Sequence, residues 1–440
     1  MTRRRGNVAA WVLACLTAGV AGPGFGQSAL PLKGTVDSED QAPDLTSDLA
    51  ETKLEISPLE PVDSVLGRKP RLASDPFAPA GIGNNGLRLY PSLTVGTVYS
   101  SNVNTSADNP RGGFGLQLKP SARLESDWTR HSLTAGVDGN LVGYSGNDGF
   151  DTAKLDVFER LRLDVRRHTT ADISSSYALD KAGGSEATEH SLGGSLALTQ
   201  DFGPMSARLS VGANARTFED VTLADGSAED NGDRDYIETT LALRTTYTEF
   251  AQIKPYLEAS YSPRSHVREI DRNGVNRDSS GYAATAGVEL VAGPLWTGDL
   301  GLTYLHRNYD TPSLGAADAI GLTGSLTWSP NELTKIVMAT GTSLDETTNV
   351  STPASAKWTA SLDMTHALRD NVDLLAGASI EIEDNGASID KTYDGSLGLA
   401  WKFNPVLAWT AAYDLTWLDS GNPNGGYAEH RVSTGLTLSR

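Results

Sequence analysis

Arg160, Arg162 and Arg166 recur at even spacing within one stretch of chain. In an extended strand, even spacing places side chains on one face. Guanidinium groups stay charged at any physiological pH, so these three would form a basic ladder. Arg208, Arg216 and Arg244 extend the basic set further along the chain, and a later set is acidic: Asp363, Asp373, Glu381, Glu383, Asp394 and Asp414. If the two ladders face each other across narrow water, they create a transverse field that orients polar solutes and disfavours apolar ones. A simpler use of the same residues is pairing with neighbours. Asp156, Asp164, Glu238 and Lys402 lie close enough in sequence to serve as partners.

Other chemistries are poorly supported. The seven histidines are scattered and mostly near turns or loops, and none has the spacing of a metal site. The stretch Asp230-Asn231-Gly232-Asp233-Arg234-Asp235 resembles the start of a calcium loop but lacks the closing Glu at the required distance. Cys15 is the only cysteine, and removal of an export signal would leave a chain without thiol catalysis, disulfides or cysteine metal sites. The expectation is a protein without cofactor or metal, and not an enzyme. The formal charge of −19 argues against nucleic acid as a partner.

The elements that would hold these ladders are visible in the alternation around them. In Ala356–Arg369, Ala356, Trp358, Ala360, Leu362, Met364 and Leu368 share one parity, and Lys357, Thr359, Ser361, Asp363, Thr365 and Arg369 share the other. Such a strand has one oily and one wet face. The pattern repeats from about residue 87 to 440, which predicts an all-β, antiparallel up-and-down transmembrane barrel with oil outside and water inside. Leu93, Val95 and Tyr99, then Leu116 and Leu118, then Leu133, Ala135 and Val137 open the outward series. Eight short turns alternate with nine longer loops, which gives 18 strands, with 16 as the competing count. Trp128, Trp296, Trp328, Trp401 and Trp409 fall beside short turns, and Trp358 and Trp417 fall near long-loop ends, as two interfacial girdles would. Glu159 breaks the rule by sitting in the apolar parity between Val157 and Leu161. A charge facing lipid there costs on the order of 2 kcal/mol, so a β-bulge near Phe158-Glu159 or a protected contact is expected, with a misjudged register as the simpler alternative.

The N-terminal part differs. Arg3, Arg4 and Arg5 precede an apolar run over Val8–Ala21 and small residues near Gly24-Phe25-Gly26, the pattern of a cleaved signal peptide over 1–26. A lipoprotein signal ending at Cys15 is the alternative. Residues 27–86 are rich in Pro, Asp and Glu and read as a disordered periplasmic arm, with one short helix over Leu45–Ile56 and a breaker-rich end at 81–86. The barrel then occupies 87–440.

Leu89-Tyr90-Pro91-Ser92-Leu93, followed by Gly96, Tyr99 and Ser101-Asn102-Val103, resembles the first strand and loop of the β-barrel porin type 2 family. Lys119-Pro120-Ser121 through Trp128-Thr129-Arg130-His131-Ser132-Leu133 resembles its second strand, short turn and third strand. The resemblance implies an outer-membrane barrel, in some members associated with exopolysaccharide or capsule export. Two departures stand out: Ser101 where an Asp is expected, and a C-terminus of Leu436-Thr437-Leu438-Ser439-Arg440 without the usual terminal aromatic. The partners implied are outer-membrane lipids and lipopolysaccharide, the barrel-assembly machinery and polysaccharide export components. Two functions remain open at this point. One is a water-filled pore for polar solutes or exported exopolysaccharide, and the other is a plugged structural barrel that docks an export complex.

Overall fold

The computed structural model describes residues 76–440, apart from 85, 185–186, 223–227, 251, 294, 347–353 and 422–424. The expected signal peptide, the helix over Leu45–Ile56 and most of the arm lie outside the described residues. Eighteen long strands form the barrel: β1 (Leu87–Ser100), β2 (Gly113–Ser126), β3 (Ser132–Tyr144), β4 (Thr152–Arg166), β5 (Thr169–Lys181) and β6 (Glu189–Asp201). They continue as β7 (Met205–Phe218), β8 (Tyr236–Tyr247), β9 (Ile253–His266), β10 (Ser279–Ala292), β11 (Trp296–Tyr309) and β12 (Ala316–Asn331). The last six are β13 (Thr334–Glu346), β14 (Ala354–Arg369), β15 (Val372–Asp384), β16 (Ile389–Asn404), β17 (Leu407–Asp419) and β18 (Tyr427–Ser439).

Every neighbouring pair is antiparallel, and β18 returns to pair with β1 from Ser92↔Ser439 to Ser100↔Arg431, so the sheet closes. Closure removes the exposed edges that a membrane would not tolerate. The strand count is 18, not 16. No helix among the described residues is long and apolar enough to cross a membrane.

Parity sets the two faces. Leu116 is 70% exposed and Val95 53%, whereas the intervening Thr94, Val98 and Ser100 on β1 are buried inside. Leu436 and Leu438 also face outward, so β18 keeps its alternation without a terminal aromatic. Ser101, in the place of the expected Asp, ties the closing seam: its backbone N–H donates to the His430 carbonyl and its Oγ accepts from the His430 N–H. Near the short turns, the Trp296 and Trp328 rings stack at 5.5 Å and Trp401 lies opposite Trp409. Near the loops, Trp417 stacks on Tyr393 at 5.3 Å.

Two expectations need correction. Ile82–Asn84 is a short strand that folds back on Leu87–Leu89, so the breaker-rich end of the arm makes a hairpin onto β1. Glu159 lies in unbroken register, opposite Ala135 on one side and Ser175 on the other. Its side chain is exposed on the outer face, in a shallow groove it shares with Leu124, Val137, Tyr177 and Leu192. There is no bulge at Phe158-Glu159, because a register slip would turn the rest of β4 to the wrong face. Irregularities instead fall between Asp164 and Arg166, Trp328 and Asn331, Ala367 and Arg369, and Lys402 and Asn404. Each lies beside a short turn, where a bulge at the barrel rim adjusts the strand to its turn.

Candidate functional site

Antiparallel partners directly opposite one another share a face, so the registers show which charged side chains line the lumen. On the side of β4–β7, Asp172 accepts a hydrogen bond from Arg208 Nη1 at 2.7 Å and lies 3.8 Å from Arg162 Nε. Arg160 lies on the same face, its guanidinium 5.7 Å from the Phe158 ring. Arg166 lies past the register shift, exposed at the end of β4 beside its short turn. Arg216 is 2.8 Å from Glu189.

The next wall, β8–β11, is a network that reaches beyond adjacent strands. Glu238 of β8 receives Arg264 of β9 and Arg307 of β11, each at 2.8 Å. Arg244 of β8 is 3.2 Å from Asp299 of β11, and its guanidinium lies 3.5 Å from the centre of the Tyr256 ring. The Tyr256 hydroxyl donates to Asp299 at 3.1 Å. That ring fits because Gly287 and Gly301 lack side chains; a Cβ on either would come within 2.6 Å of the hydroxyl. Burying these guanidiniums is tolerable only because each meets carboxylates at close range.

The opposite wall, β13–β18, carries an excess of carboxylates. Lys357 Nζ lies 3.0 Å from Glu381, 3.5 Å from Asp345 and 3.7 Å from Glu383. Ser355 donates to Glu383 at 2.6 Å and Ser343 to Asp345 at 2.9 Å. Asp394 accepts from Thr416 at 2.8 Å and Ser379 at 3.0 Å. Asp373 is 3.0 Å from Lys402. Glu429 accepts from Ser100 at 2.6 Å, and Arg431 lies 3.2 Å from it. Asp414, opposite Ser396 and Arg431, leaves one carboxylate oxygen buried without a hydrogen bond. Asp363 stands opposite Gly377 on the same face.

Five of the six basic residues and all six acidic residues singled out by spacing take lumen-facing register positions; the expectation fails for Arg166, which the shift after Asp164 sets opposite Thr169, off that face and exposed at the rim. Spacing did not single out Arg264, Arg307, Asp299, Asp345, Lys357 or Glu429. Their parity was readable, but their partnerships depend on which strands the barrel curves together.

Above the wall, two loops lock to each other through salt bridges. Asp230 is 2.8 Å from Arg268, and Asp233 receives Arg272 through Nε and Nη2, each at 2.8 Å. Arg272 also bonds Glu229 and Asn231. The acidic stretch that resembled a calcium loop therefore spends its carboxylates on arginines and on the Phe218 N–H, which donates to Asp235. No group of potential metal ligands occurs among the described residues. Burial pushes the Asp233 carboxyl up, but the hydrogen bonds from Arg272 outweigh it and hold it below the ordinary value. Its contribution is therefore complete above the ordinary carboxylate value of about 3.9 and fades as pH falls through the depressed one. The lock should stay shut at neutral and mildly acidic pH. Arg272→Ala should open it, and proteinase K should then cleave the loop over residues 219–235 about tenfold faster, the effect of one partly screened charged hydrogen-bond cluster. Unchanged cleavage would mean that the two loops hold their places without Arg272.

A closed antiparallel cylinder with an apolar skin, aromatic girdles and a charged interior is an integral outer-membrane β-barrel. The chain belongs to the family described as Putative beta-barrel porin 2, whose model matches residues 75–440. Solved structures to which the chain is similar include the outer membrane protein OpdK from Pseudomonas aeruginosa, with 11% identity over 80% of this chain and 99% of that chain and a TM-score of 0.41. OccK2 (OpdF) from Pseudomonas aeruginosa gives 10%, 80%, 98% and 0.42 in the same terms. The siderophore receptor PirA from Acinetobacter baumannii gives 9%, 80%, 80% and 0.39. No curated protein matches the chain.

Proposed function

We propose that this outer-membrane barrel is a passive aqueous pore for small polar solutes, with a preference for cations. The reading rests on the division of charge in the lumen. On the arginine-rich side, most guanidiniums are matched by carboxylates at close range, as in Arg208–Asp172, Arg216–Glu189 and Arg244–Asp299. On the β13–β18 side, carboxylates outnumber bases, and Asp394 accepts hydrogen bonds from the hydroxyls of Ser379 and Thr416. Compensated charge on one wall and surplus carboxylate on the other leaves a net attraction for cations. An 18-stranded barrel is wide enough to keep water inside.

Single-channel recording of the full-length protein in a planar bilayer tests the proposal. Steady ohmic steps with a reversal potential on the cation side are expected. Silence from the full chain, followed by steps once residues 27–86 are deleted, would make the barrel a plugged one. Steps with anion selectivity would overturn the charge argument while leaving the pore.

A further inference from the structure

One seam of the barrel is built differently from the other seventeen. The ladder between β12 and β13 runs from Asn331↔Thr334 up to Gly324↔Thr340 and stops there. The remaining halves, Ala316–Thr323 of β12 and Gly341–Glu346 of β13, have no cross-strand register with each other. Both continue as strands, and both stay paired on their other sides: β12 with β11 up to Ala316, and β13 with β14 up to Glu346.

The divergence begins at two glycines. Gly298 of β11 and Gly324 of β12 have φ of +130° and +139°, backbone conformations closed to other residues. A Cβ on Gly298 would sit 2.0 Å from the Ser325 carbonyl oxygen, and one on Gly324 would sit 2.3 Å from that of Asp299. The β11–β12 hairpin bends at this pair and leaves the cylinder.

Where it goes follows from the side chains it meets. Gly321 has lumen parity on β12, opposite Thr303, yet a Cβ there would lie 2.2 Å from Thr342 Oγ1 and 2.8 Å from the Trp358 ring. Thr342 and Trp358 oppose each other on the outward parity of β13 and β14, the faces whose other parity carries Asp345 and Lys357 into the lumen. The inner face of the upper hairpin therefore lies over the outer face of β13–β14. Tyr309, Leu314 and Ala319 from the hairpin pack with Leu344 and Ala354 below them, all five buried to 7% exposure or less. The wall here is an overlap closed by apolar side chains. Two side-chain hydrogen bonds clasp its edge: Trp358 Nε1 donates to the Ile320 carbonyl at 2.9 Å and Thr342 Oγ1 to the Leu322 carbonyl at 3.0 Å.

Backbone without a ladder partner is costly in hydrocarbon, so membrane barrels normally pair every strand along its length. The overlap lies well above the short-turn side. Ile320 is eight residues beyond Trp328 of the lower girdle, about 20 Å of height for a tilted strand, near the upper edge of a hydrophobic band about 25 Å tall. Its closing contact is apolar against apolar, which an alkyl chain can replace like for like. Immediately behind it, on the lumen faces of β13 and β14, lie Asp345 and Lys357, with Glu381 and Glu383 beside them on β15. Tail-accepting and head-accepting chemistry therefore sit back to back across one strand layer.

We infer that the β12/β13 overlap is a lateral port for an amphiphile, whose charged head is held in the lumen while its alkyl tail passes between the hairpin and β13–β14 into the outer leaflet. The port extends the pore reading but does not depend on it, because it is read without any current.

The test uses the full-length protein in phosphatidylcholine vesicles, with Cys15 replaced by serine. Leu344→Cys buries a thiol inside the overlap, and labelling by N-dodecylmaleimide and N-ethylmaleimide is followed by mass spectrometry. Leu362→Cys, on the open outer face, serves as the freely accessible reference. Ala354→Cys is the second overlap position, for use if Leu344→Cys does not fold. The port predicts labelling of the overlap thiol within tenfold of the reference by the dodecyl reagent, and at least tenfold slower labelling by the ethyl one relative to the same reference. Trp358→Phe keeps the ring but removes the N–H that clasps Ile320, and should speed dodecyl labelling further. A disulfide between Gly321→Cys and Thr342→Cys, positions where a Cβ on residue 321 would lie 2.2 Å from Thr342 Oγ1, should abolish labelling until it is reduced. An overlap thiol that stays unlabelled for hours, or reacts equally fast with and without the disulfide, would overturn the port. A silent bilayer recording with normal labelling would remove the pore and leave the port standing.

Discussion

Lys357→Met will cost the barrel more stability than any other single change in the lumen. The ammonium group is shared among Asp345, Glu381 and Glu383, and Asp345 is only 1% exposed. Removing one partner of a buried ion pair typically costs about 3–5 kcal/mol, because the charge left behind has neither water nor a counterion. Here three carboxylates would be left facing one another on neighbouring strands. Urea titration of the folded barrel in vesicles, followed by the mobility difference between folded and unfolded protein, should show a large drop in midpoint. The second half of the prediction separates charge from packing. Glu381→Gln and Glu383→Gln added to Lys357→Met should restore much of the loss, since they remove the surplus charge and keep the shapes. If the triple variant is as unstable as the single one, the ammonium stabilises the wall by packing and not by balancing charge. An unchanged midpoint for the single variant would mean that the cluster is open to water.

The strands and their faces were legible in the sequence because half of every strand meets lipid. That requirement writes a period-2 pattern over some 350 residues, and the alternation of short turns and long loops counts the hairpins. Lumen parity followed from the same pattern, which is why Arg162, Asp373 and Glu381 could be placed inside. What the pattern does not carry is reach. Arg244 meets Asp299 three strands away, and Glu238 gathers arginines from β9 and β11, through the curvature of the wall and the length of a guanidinium side chain. Glu159 invited a bulge because its cost was weighed alone; a register set by a dozen neighbouring pairs outweighs one outward carboxylate. The β12/β13 overlap was invisible for a different reason. It turns on the backbone angles of Gly298 and Gly324, and glycine is common throughout this chain (45 residues), so its presence alone marks no bend.

Selectivity should respond most to the ladder on β4. Arg162 shares Asp172 with Arg208, and the Arg208 contact at 2.7 Å is much the tighter of the two. Arg166 is exposed at the rim. Converting Arg160, Arg162 and Arg166 to glutamine therefore removes three positive charges while leaving the Arg208–Asp172 pair in place. Arg208→Gln, in contrast, would strip Asp172 of its close partner and should be read as a stability variant. With the ladder gone, the surplus carboxylates of β13–β18 dominate the lumen potential. A shift of roughly 0.5 kcal/mol per unit charge, modest for partly screened groups, favours cations and disfavours anions together and raises their permeability ratio about fivefold. Reversal potentials under a salt gradient measure this directly. The change should be largest in dilute salt and shrink toward 1 M, where the screening length falls to about 3 Å. A triple variant whose selectivity matches the parent at low salt would show that permeating ions do not pass the β4 ladder. The conducting path would then run along the acidic wall alone, and Asp414→Asn, which removes a carboxylate there, would become the change that alters selectivity.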